Sequence, residues 1–86
     1  MSLPMPSPDA TRALDSACSR LREAQADLAA ACENLAVLLA DPAYTPPQRK
    51  RGLRRTWEAG QQAQRLTAEY MAALAVVAAF DAHEGG

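Results

Sequence analysis

The sequence predicts an all-α protein, a long antiparallel helical hairpin that pairs with a second copy into a homodimeric four-helix bundle. Three observations lead there. Hydrophobic residues make up 49% of the 86, yet aromatics are only 5%. The apolar content is therefore mostly Ala and Leu, which cost least in a helix, while β-branched residues that favour strands are scarce. Leucine recurs every seven residues through the first half, at Leu14, Leu21, Leu28 and Leu35. A single break, from Asp41 to Gln48, interrupts the helical pattern in mid-chain.

Residues 1–7, with Pro4 and Pro6, read as a flexible or extended arm. Ser7-Pro8-Asp9 is a helix start: a capping hydroxyl, a proline at the first helical position and an acid near the positive dipole end. No Pro or Gly follows until Pro42, so helix 1 is expected over about 8–40. Its leucines are joined by Ala17, Ala24, Ala31 and Leu38, and by Cys18, Gln25, Cys32 and Leu39, in one apolar stripe. Alanine beside leucine implies closely approaching helices. Asp41-Pro42 ends the helix, because the residue before proline is driven out of the α region. Thr45-Pro46-Pro47-Gln48 restarts one, with Thr45 as N-cap and Gln48 as its reciprocal partner in a capping box. A connection of about four residues folds the helices back antiparallel.

Helix 2 is expected over about 46–82, with 83–86 as a frayed tail and the whole chain as one domain. Projected at 100° per residue, Leu53, Thr56, Trp57, Gly60, Ala63, Gln64, Thr67, Met71, Leu74 and Ala78 share a face, which we expect to meet helix 1. Gly60 then faces the Ala24–Ala31 region, where close approach or a bend accounts for a mid-helix glycine that costs about 1 kcal/mol against alanine. A second stripe, Leu66, Tyr70, Ala73, Val77 and Phe80, has no cover within the chain. Left exposed it is a sizeable apolar patch, so it is the expected oligomer interface. Gln25 and Gln64 interrupt the apolar stripes, either fixing register or sitting at a stripe edge.

The helix restart carries the clearest functional signal. Arg49, Lys50, Arg51, Arg54 and Arg55 are five of the nine basic residues. Cations in the first turns of a helix oppose its macrodipole by some tenths of a kcal/mol each, and like charges repel. Folding alone favours acids there. The cluster is therefore the expected partner- or anion-binding site, with a solvated patch partly neutralised by Asp41, Glu33 and Glu58 as the plainer reading. Trp57 reads as a large plug at the hairpin tip, with an interface anchor as its alternative. Tyr44 in the turn is a partner contact or packs over the helix ends. Cys18 and Cys32 lie about 21 Å apart along one helix and cannot bridge within the chain. They read as small hydrophobes, although an antiparallel dimer centred near Gln25 brings Cys18 beside Cys32 of its partner.

Other classes find little support. The net charge of −1 gives no global nucleic-acid signature, although residues 1–43 carry −3 and residues 44–86 carry +2. His83, the single histidine, lies in the tail, and the two cysteines have no metal spacing. No carboxylate pair falls on an apolar face, and neither a phosphate loop nor a nucleophile elbow is present. We expect no enzyme, no catalytic residue, no metal, no cofactor and no small-molecule substrate. The N-terminus lacks the charged and apolar regions of a signal peptide. The longest apolar run, Tyr70 to Phe80, falls well short of the roughly 20 residues of a membrane span. A cytoplasmic protein with no membrane association is expected. Trp57-Glu58-Ala59-Gly60 is one residue longer than the Trp-x-Gly turn of small secreted helical-hairpin proteins and falls inside helix 2, so no family is assigned. The leading expectation is a non-enzymatic adaptor, assembly or regulatory protein docking an acidic protein partner. Nucleic-acid or nucleotide-phosphate binding by the same basic helix start is the alternative.

Overall fold

The computed structural model describes residues 8–85, with side chains through residue 79. The arm at residues 1–7, and the side chain of Phe80, lie outside these. Two helices account for the described chain: α1, Pro8–Ala40, and α2, Pro46–Gly85. They pack against each other as an all-α hairpin, and α2 continues helical past the expected end at 82. The molecule is a rod, with principal extents of 69 × 19 × 14 Å and a radius of gyration of 19.3 Å. A compact domain of this length has about 12 Å.

The hairpin closes along a seven-residue repeat. On α1 the buried residues are Ala17, Ala24 and Ala31, flanked by the half-buried leucines of the heptad. The third line of the expected stripe does not join them: Gln25, Cys32 and Leu39 are exposed, and Cys18 is half-buried. Two lines suffice because a two-helix seam is narrow, unlike the wider stripe a helix presents to a globular core. The centre of the seam is Ala24, Ala63 and Leu66, with Leu21 and Leu28 packed against them.

On α2 only part of the expected face meets α1: Thr56, Gly60, Ala63 and Leu74 are buried or half-buried, while Leu53, Trp57, Gln64, Thr67, Met71 and Ala78 are exposed. Leu66 is 7% exposed and sits in the seam. Ala73 is half-buried seven residues further on, and Tyr70 and Val77 are half-buried on the seven-residue line that runs through Ala63. As far as Val77, the stripe expected to make an oligomer thus has α1 of its own chain against it. Trp57, expected as the plug of the tip, is 65% exposed, and Leu53 and Met71 are exposed with it. Size decides which residues enter the seam. The alanines of α1 draw the backbones together and leave a thin gap, which Gly52, Thr56, Ala59 and Ala63 fit and an indole does not. The Thr56 hydroxyl spans that gap, 2.9 Å from the Gly52 carbonyl of its own helix and 3.3 Å from the Ala31 carbonyl of α1.

The glycines separate in the same way. A Cβ on Gly52 would collide with the Leu38 δ-methyl and lie 3.6 Å from that of Leu35, so the close approach is here. Gly60 faces Leu28 in α1, in the register expected, but a Cβ there would meet only the Leu28 δ-methyl at 4.0 Å. The hairpin itself leaves room for a methyl at Gly60.

Candidate functional site

The tip is built by local hydrogen bonding. The Asp41 amide closes α1 on the Val37 carbonyl at 3.1 Å, and the Asp41 carboxylate accepts from the Ala43 amide at 2.9 Å. The Tyr44 amide donates to the Asp41 carbonyl at 3.3 Å. The capping box forms as expected: the Thr45 amide donates to Gln48 Oε1 at 2.7 Å, and the Gln48 amide to the Thr45 hydroxyl at 3.4 Å. Each pair satisfies a backbone donor that the helix start leaves open.

The five bases of the cluster do not act alike. Arg49 lies on the seam and turns toward α1. Its Nε donates to the Leu38 carbonyl at 3.1 Å and its Nη2 to the Asp41 carbonyl at 3.2 Å. A guanidinium at a helix C-terminus satisfies open carbonyls and meets the negative dipole end, so this charge serves the fold. The sequence carried a signal for it: Arg49 is seven residues before Thr56 and fourteen before Ala63, on the line that becomes the seam.

Lys50, Arg51, Arg54 and Arg55 are all exposed. Arg54 approaches Glu58 at 3.6 Å, but both side chains are largely solvated, and such a pair contributes about 0.5 kcal/mol at most. The first turn of α2 holds no acid, and the Asp41 carboxylate is engaged with the turn rather than with a base. The four charges spread around the helix. Lys50, Arg51 and Arg54 rim a shallow depression floored by Leu35, Pro47, Leu53 and Trp57. Arg51 and Arg55 edge a second hollow beside Asn34 and Gln48.

The two flanks of the hairpin differ in chemistry. One is polar: Arg20 meets Glu69 at 3.2 Å, and Asp27, Asn34, Arg55 and Gln62 line a hollow between the helices. On the other flank α1 carries Gln25, Cys32 and Leu39, while α2 carries Leu53, Trp57, Gln64 and Met71, all exposed. This flank combines the line that α1 does not bury with the face of α2 that does not meet α1. Both glutamines therefore reach water at a stripe edge within the hairpin. Tyr44 is half-buried at the turn, and both cysteines are free thiols.

Among the described residues no group of His, Cys, Asp and Glu is arranged to hold a metal ion. No helix among them is long and apolar enough to cross a membrane. No protein-family model, curated protein or solved structure matches the chain.

Proposed function

We propose that this chain is a non-enzymatic interaction module, an adaptor, assembly or regulatory protein of the cytoplasm. In this reading it self-associates and docks an acidic protein surface through Lys50, Arg51, Arg54 and Arg55. One observation carries the docking reading. Four cations stand exposed in the opening turns of α2, where the dipole and their mutual repulsion oppose them, and only Arg54 has an acidic neighbour among the ion pairs of the described residues. The fifth base, Arg49, has a structural use that accounts for it; of these four, only Arg54 has a partner in the fold, the solvated Glu58. Their spread around the helix suits a protein surface that encloses the tip.

Binding of an acidic peptide tests this. Arg54→Glu with Arg55→Glu is expected to weaken it by about tenfold or more with helicity unchanged. Undiminished binding overturns the docking reading. A salt series on any bound nucleic acid tests the alternative: a log–log slope near that of a four-phosphate contact, about −3 to −4, would favour phosphate over protein.

A further inference from the structure

We infer that the exposed apolar flank is covered by a second copy of this chain, laid antiparallel on the first about a two-fold axis at the level of Gln25 and Gln64. This rests on the reading that the chain self-associates and specifies the face and the register.

Area argues for a cover of dimer size. The chain exposes 6618 Å², where a compact monomer of 9.2 kDa exposes about 4,900 Å². The described surface is apolar on one flank, where Leu39, Leu53, Trp57 and Met71 are each more than half exposed. A rod 69 Å long gives that flank the length to bury the ~800 Å² that a standard interface takes from each partner. The core within the hairpin is slight: among the described residues it has five buried hydrophobics, four of them alanine.

The pattern on the flank argues that the cover is the chain itself. A two-fold interface must be self-complementary, so that residue i meets j where j meets i. Gln25 and Gln64 lie at one level of the rod. Starting from the Arg20–Glu69 ion pair, Gln25 is five residues along α1 and Gln64 five residues back along α2. About that level the flank is symmetric. Cys18 and Cys32 each stand seven residues from Gln25, and Trp57 and Met71 each seven from Gln64. With the axis there, α1 crosses its own copy and α2 its own copy. Trp57 of each protomer meets Met71 of the other, a favourable sulfur–aromatic pairing. Cys18 meets Cys32, and the four glutamines form one polar layer at the centre that penalises other registers. Gly60 also gains a reason. The hairpin has room for a Cβ there, whereas a second helix crossing the same flank closely does not. The bundle carries its two basic tips at opposite ends, so the dimer is a two-headed connector between acidic partners.

Thiol cross-linking with a short bismaleimide, alongside light scattering on the unlinked chain, tests the register. The expected mass is twice 9.2 kDa. The unaltered chain is expected to link covalently into dimers. Cys18→Ser alone and Cys32→Ser alone are each expected to lose the link, since like cysteines then lie about 21 Å apart. Mixing the two variants is expected to restore it, in the mixed dimers only. A doubled mass with no link, or with either variant linking to itself, overturns the register and leaves self-association standing. A single-chain mass overturns self-association itself. Circular dichroism on the exposed Cys32→Ser variant separates loss of the link from loss of fold.

Discussion

Replacing Gly52 by alanine tests the closeness of the helices near the tip. Two effects oppose each other. Alanine in a helix interior is favoured over glycine by about 1 kcal/mol. Against this, the added Cβ collides with the Leu38 δ-methyl and lies 3.6 Å from that of Leu35. Overpacking of this kind costs about 1–3 kcal/mol. The clash is with the end of a side chain rather than with backbone, which places the cost toward the low end. A net loss of about 0.5–1.5 kcal/mol is expected. Urea unfolding at one fixed protein concentration measures it, as a lower midpoint with an unchanged m-value. Leu38→Ala supplies the second arm of a double-mutant cycle. In the Gly52→Ala background the offending methyl is gone, so Leu38→Ala should cost about 1 kcal/mol or more less than it does alone. If Gly52→Ala raised stability by the full helix-propensity gain, with no coupling to Leu38, the close approach would be refuted.

Four further outcomes follow from neighbouring geometry. Thr45→Ala should cost about 1 kcal/mol by removing the capping box, read as a lower urea midpoint. Arg49→Ala should cost about 1–2 kcal/mol by opening the last carbonyls of α1, while leaving acidic-peptide affinity within about twofold of the unaltered chain. Leu66→Ala should cost about 2–3 kcal/mol or more from the seam. Trp57→Ala should instead act through association, raising the dissociation constant seen in sedimentation while hairpin helicity at saturating concentration stays the same.

Both helix starts and the end of α1 were legible in the sequence because their signals are local. Pro8 and Pro46 open the helices, Asp41-Pro42 closes the first, and Thr45 with Gln48 forms a reciprocal cap. Each depends on residues within a few positions. The line of contact on α1 was also legible from its leucine and alanine heptads. The face of α2 was legible only in part, through Thr56, Gly60 and Ala63, because α2 is apolar on two sides and a projection weighs Trp57 and Met71 by their hydrophobicity. The seam selects by width instead: what faces Ala24 and Ala31 must be thin, and Ala63, Thr56 and Gly52 are. Width is a property of the pair of helices, and one helix alone does not display it. The basic cluster was legible as a cluster. That Arg49 leaves it for the carbonyls of α1 depends on where the partner helix ends, which only the folded hairpin shows.

The turn has a consequence for the order in which the molecule assembles. Its backbone groups are met by one another: Asp41 holds Ala43 and Tyr44, and Thr45 and Gln48 hold each other. It needs no help from distant residues. Contacts between the helices then grow steadily more remote in sequence. Arg49 reaches Leu38 across 11 residues, Thr56 reaches Ala31 across 25, and Arg20 with Glu69 closes a wider loop still. Each step adds only a small increment of loop-closure entropy to the one before it. The hairpin is therefore wired to zip from the turn outward and to peel from its open end. The basic tip stands on the part that forms first and lets go last, so its charges are in position while the remote arms are still pairing.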